Sequence, residues 1–317
     1  MPTFRIFRAM MSILTGALLA ITPAAQAQDL VHPEDRRLLR IAERIQVANA
    51  PLCRRQAPAL GVALQSRDQF PPGLDPGFAA DVAFAAVLPD SPAARAGIAE
   101  GDGLVAIAGV PVTVQPGLEH TRLRDSAYAM LAGHPRGVPL RLTIAHGGAE
   151  REVELAPPPH CLALVEVLIG GGQAARAADG WVIQLGLDLM RRASDAEVAA
   201  IFAHELAHLA LGHRDLLVRE GVDGGIGGEF GRSRQIGAEA EIEADRLSVH
   251  LLANAGFDPR VVPALWRSPL GKALDHGILR KRIYQSPEDR ARGAEREIAD
   301  YLSGGAPSWP GHLLERR

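Results

Sequence analysis

Residues 204–208 read His-Glu-Leu-Ala-His. On a helix, His204 and His208 stand at i and i+4, so both imidazoles leave one face a turn apart and can reach a single Zn²⁺. Glu205 follows His204 and is rotated about 100° around the helix axis. Its carboxylate can thus reach a water on the metal while leaving the metal itself to the histidines. Zinc brings such a water's pKa toward about 7. A glutamate beside it can take the proton as the oxygen attacks a peptide carbonyl, then hand it to the leaving amine. The motif needs a third ligand. A nearby histidine would sit where Arg214 stands, with glycine where Leu211 stands. His213 is one residue early and reads as a structural or supporting group. The remaining candidates are Glu239, Glu241 and Glu243.

The elements that must position these residues can be read around them. Residues 196–211 form a helix, with Val198, Ile201, Phe202, Leu206 and Leu209 on its apolar face. Asp195 and Glu197 favour its N-terminal end. Residues 221–231 are glycine-rich and read as a loop. A second helix spans about 238–255 and carries the three glutamates; a last one spans 287–302 behind Pro287. Residues 162–170 and 181–186 read as strands.

HELAH followed by Glu-Ile-Glu-Ala-Asp at 241–245, preceded by the stretch 178–203, resembles the HtpX, BepA and CAAX prenyl protease family of zinc peptidases, family M48. The resemblance covers nearly all of residues 160–317. It implies a mainly helical zincin-type (gluzincin) peptidase domain holding one Zn²⁺ per chain through His204, His208 and Glu241. Asp245 would orient a ligand histidine through its other ring nitrogen, and Glu243 would be a surface charge. Family members carry a His-Pro and then an Arg near the last helix. Here Tyr284 stands in the place of the histidine and Arg290 matches the arginine, which implies contact with substrate or with the developing oxyanion.

Residues 58–157 differ in character: short apolar runs at 60–64, 81–88, 102–112, 138–147 and 151–156 alternate with turns. Ser91 caps a short helix over 91–97. Leu60-Gly61-Val62 with the run 88–112 resembles a bacterial PDZ domain. That family implies peptide C-termini bound by the loop at Leu60, Gly61 and Val62 and by β-augmentation along 60–64. A helix over 33–49 precedes the module. The chain has two cysteines, Cys53 and Cys161, just outside it. Paired, they staple its base and assign residues 28–57 to the peptidase domain of 158–317. The expected fold class is α+β: a helical peptidase domain with a mostly-β PDZ domain inserted.

Arg5 and Arg8, the apolar run 10–21 and Ala25-Gln26-Ala27 read as an export signal cleaved near Ala27. The run is short of the roughly 20 residues that cross a bilayer. The mature chain is expected in the periplasm or outside the cell, where disulfides persist, with no integral membrane segment. A net charge of −3 gives no basic balance for nucleic acid. The expected activity is zinc-dependent endopeptidase action on polypeptides, with the PDZ module selecting substrates or partners, as in envelope protein quality control. A non-catalytic PDZ adaptor or chaperone-like factor on a peptidase scaffold is the alternative.

Overall fold

Helical spacing of Leu38, Ile41, Ala42 and Ile45 winds helix α1 (Pro33–Ala48) and buries all four. They share a core with Phe202, Leu206, Leu247 and Trp266, far along the chain. The computed structural model describes residues 33–169, 175–178, 181–221, 231–274 and 285–315. The expected export signal (1–27), Tyr284 and most of the glycine-rich loop (222–230) lie outside the described residues. Among the described residues, no helix is long and apolar enough to cross a membrane.

Past α1, strand β1 (Gln56–Pro58) runs outward. It later pairs antiparallel with β8 (Pro159–Cys161), Gln56 opposite Cys161. Cys53 and Cys161 form a disulfide that closes a separation of 108 residues. Within that closed segment lie β2 (Val62–Ser66), β3 (Val82–Val87), α2 (Pro92–Arg95), β4 (Gly103–Ile107), β5 (Val110–Pro111), α3 (Leu123–Ala132), β6 (Leu140–His146) and β7 (Ala149–Leu155). The sheet order is β2-β3-β4-β6-β7 with β5 on β4, every pairing antiparallel. Its core is its own: Leu60, Leu64, Phe84, Leu104, Leu131 and Leu142 are buried together. Residues 102–112, read as one strand, are a hairpin. Ala108 (φ 51°) and Gly109 (φ 78°) make its two-residue turn. Left-handed conformations there match the twist of the flanking strands, and alanine gives no warning of one.

The second half opens with β9 (Leu164–Leu168), β10 (Ala175–Ala178) and β11 (Val182–Gly186). Strand β11 lies between the others, parallel to β9 and antiparallel to β10, which leaves β10 at the sheet edge. Helices follow: α4 (Leu187–Arg192), α5 (Asp195–Ala210), α6 (His213–Arg219), α7 (Gly231–Asn254), α8 (Val261–Arg267), α9 (Pro269–Leu274), α10 (Pro287–Tyr301) and α11 (Gly311–Leu314). A reciprocal cap starts α5. The Ser194 N–H donates to the Glu197 carboxylate at 2.8 Å, and the Glu197 N–H donates to Ser194 Oγ at 3.3 Å. Helix α5 is packed by α1, α7, α8 and β10, burying Val198, Ile201, Phe202 and Leu206. It stops at Gly212, whose φ of 64° lies in the left-handed region that glycine adopts without cost.

Candidate metal centre

Helices α5 and α7 lie against each other and bring His204, His208 and Glu241 to one point. The His204 and His208 Nε2 atoms are 3.1 Å apart; Glu241 oxygens lie 3.4 Å from the first and 3.6 Å from the second. Ligand atoms 2.0–2.1 Å from one tetrahedral zinc would be about 3.3 Å apart. Two imidazoles and a carboxylate are also the donor types that zinc takes in open, catalytic sites. The residues therefore fit one Zn²⁺ with a position left for water.

Each histidine is fixed from behind. His204 Nδ1 lies 3.0 Å from Asp245 Oδ1. Asp245 is buried and receives the Arg290 guanidinium through Nε at 2.5 Å and Nη2 at 2.9 Å. Burial opposes ionisation of Asp245, yet the Arg290 charge and the His204 hydrogen bond outweigh it and hold the carboxyl below its usual range. Arg290 also reaches Glu241 at 3.3 Å, and its Cζ lies over the Trp266 ring, 3.5 Å from the centroid. On the other side, His208 Nδ1 lies 2.8 Å from His213 Nδ1, and His213 Nε2 lies 3.2 Å from Glu243. One proton arrangement satisfies this row. His208 Nδ1–H donates to His213 and His213 Nε2–H donates to Glu243, which leaves the His208 Nε2 lone pair facing the centre.

With two carboxylates facing it, His204 is the more basic of the two histidines. Burial alone would lower His204, but Asp245 and Glu241 outweigh it and push its pKa up to about 10. Burial and then the His204 charge press His208 down to about 3. Burial would raise Glu241, but the hydrogen bond and charge of His204 hold it below its usual range.

Glu205 sits on α5 directly after His204 and is half-buried. Arg290, expected to meet substrate, is buried against Asp245 and Glu241. Glu239 is exposed and takes a hydrogen bond from Gln235, away from the centre. Glu243, expected at the surface, supports His213. Trp266 carries no sequence signal, being a lone tryptophan in a short helix. A second His/Glu group joins His250, Glu297 and His312. Its His312 Nε2–Glu297 contact is 2.6 Å, tighter than two ligands of one zinc, and the other Glu297 oxygen takes Arg246 at 2.6 Å. It is a buried hydrogen-bonded fastening among α7, α10 and α11.

In the β-rich module, Gly61 (φ 70°) lies against Ser91, whose Cβ would be 2.4 Å from any Cβ added there. Leu60 and Val62 are buried. The outer edge of β2 meets α3: the Leu64 N–H donates to the Tyr128 hydroxyl at 2.8 Å. Burial pushes the Tyr128 phenol up to about 12, so it stays neutral. The space left beside Leu60, Gly61 and Val62 is about 40 Å³, walled also by Glu43, His160, Leu164 and Trp181.

Residues 177–223 match the model of Peptidase family M48, and residues 84–139 match that of a PDZ domain. The first span contains α5 with His204, Glu205 and His208. The second contains β4, α3 and most of β3. No curated protein and no solved structure matches the chain. Glu241, Asp245 and Arg290 lie past the peptidase match, so their place at the centre rests on geometry.

Proposed function

We infer that this chain, a metallopeptidase of family M48 with a PDZ domain, is an exported zinc-dependent endopeptidase whose one zinc is held by His204, His208 and Glu241. The carrying observation is the spacing of those three donors, 3.1–3.6 Å, with Glu205 beside them. Bound zinc would polarise the scissile carbonyl and acidify the attacking water. Glu205 takes that water's proton and delivers it to the leaving nitrogen. Asp245 holds the His204 ring, and Arg290 holds Asp245 and Glu241, as a positioning residue. His213 and Glu243 hold His208. Strand β10, at the sheet edge along α5, offers backbone groups to an extended substrate. Tyr284 remains the residue proposed to donate to the oxyanion. The disulfide and the character of residues 1–27 support export.

Elemental analysis of the purified chain should give one zinc. Casein cleavage should stop on treatment with a chelator and return with added zinc. A folded, metal-free chain would overturn the reading; one full zinc with no cleavage of any protein would favour a binding factor on a peptidase scaffold.

For the PDZ module, the proposed ligand is a peptide C-terminus paired to β2. It must displace Tyr128 and enter past Glu43, a like charge to its carboxylate. The closed edge thus also favours a second reading, a module that serves as a spacer. Tyr128→Ala separates the two. If the groove is gated, the variant should bind C-terminal peptides about tenfold or more tightly than the wild type, the hydroxyl no longer competing for the Leu64 N–H. Selection from a C-terminal peptide library that enriches nothing with either protein would make the module a spacer.

A further inference from the structure

Two hollows meet between the peptidase half and the PDZ module. One, of about 540 Å³, is walled by His208, Leu209 and Arg214 at the end of α5 and by Arg54 and Arg55. The other, of about 590 Å³, continues from Arg54 and Arg55 to His134 and Arg136 beyond α3. Arg54, Arg55 and Leu162 belong to both walls, so the two hollows adjoin as a trough, and the nearer one is lined in part by His208, a proposed zinc ligand. Its charge is lopsided even with Arg214 set aside: Arg54, Arg55 and Arg136 against Asp215. The chain as a whole is net acidic, so the trough stands out against its background. Arg54 and Arg55 are exposed, and among the described residues their guanidinium groups have no ion-pair or hydrogen-bond partner. Arg136 donates to Gln56, a neutral group, at 3.2 Å.

The position of these arginines is built in. Cys53 is tied to Cys161, and β1 pairs with β8, so Arg54 and Arg55 leave a clamped backbone between them. The Arg54 guanidinium reaches the Gly212 turn that ends α5, 3.8 Å from where a Cβ would stand. A row of guanidinium groups on a fixed frame recognises carboxylates, through charge-assisted and often paired hydrogen bonds.

We propose that this trough is the substrate path on one side of the scissile bond, and that it selects polypeptides carrying Asp/Glu-rich segments there. The proposal rests on the zinc peptidase reading above. Arg54, Arg55 and Arg136 are its specificity-determining residues; the chemistry stays with Glu205 and the metal ligands.

The test compares a labelled peptide containing an Asp/Glu-rich run with its Asn/Gln counterpart. Binding is measured by fluorescence anisotropy and cleavage by kcat/KM, using the full chain and its Arg54→Glu, Arg55→Glu double variant. The wild type should prefer the acidic peptide by about tenfold, two partly exposed charge contacts being of that size. Salt should erode the preference. In the double variant the acidic peptide should lose that advantage through KM, with kcat for the neutral peptide and zinc content retained. Arg136→Glu serves as a second variant away from the disulfide. Equal binding of the two peptides, or a preference that survives charge reversal, would overturn the proposal. Absence of cleavage with every peptide would count against the peptidase reading instead, and the anisotropy comparison would still decide the trough.

Discussion

Glu205→Gln should keep one zinc per chain and lose at least about a hundredfold in peptide cleavage, the lower end of what a positioned general base contributes. The change is nearly isosteric, and His204, His208 and Glu241 keep their spacing. What is lost is the ability to take a proton: an amide in that place can hydrogen-bond to water but cannot accept its proton at neutral pH. Glu241→Gln provides the contrast. It removes a charged donor from the centre and leaves Arg290 with one carboxylate partner fewer, so zinc itself should be lost. Measured side by side, metal content separates the two variants while activity does not. A Glu205→Gln protein that cleaves within a few-fold of the wild type would remove Glu205 from the mechanism.

The contrast between these glutamates follows what the sequence can and cannot carry. His204, Glu205 and His208 are legible because their relation is local: a helix fixes it, and the cap at Ser194 and the apolar face of α5 announce the helix. The relation of Glu241 to His208 is not local. Helical spacing leaves Glu239, Glu241 and Glu243 open, and the family pattern selects among them before α7 is seen lying on α5. The supporting groups are the least legible. His213 and Glu243 meet across 30 residues, and Trp266 comes to Arg290 from a helix with no motif. The β-rich module shows the same limit. Its apolar runs mark strands, but α3 is built on small residues such as Ala127 and Ala129 and gives no strong helical stripe. Tyr128, which closes the β2 edge, lies on that helix and has no motif of its own.

The disulfide offers the other large effect, because it joins points that sequence order separates widely. Replacing Cys53 and Cys161 together by serine should cost up to about 4–5 kcal/mol of stability, the chain-entropy figure for a loop of this length when all of it unfolds, and less where the β-rich module stays folded within it. The loss should be unevenly felt. Cys161 is fully buried in the core shared by α1 and α5, and Cys53 borders it. The β-rich module keeps a core with no cysteine in it. Opening the bond therefore loosens the two chain crossings at β1 and β8 beside the core that α1 shares with α5, while the six-stranded sheet retains its own contacts. In a urea titration, the transition reported by zinc release should move to lower denaturant in the variant and in the reduced wild type alike. A transition followed within the β-rich sheet should move much less. Coincident shifts of both would show that the two cores unfold as one unit, and an unchanged zinc-release midpoint after reduction would mean that the β1–β8 pairing holds the crossings without the covalent bond.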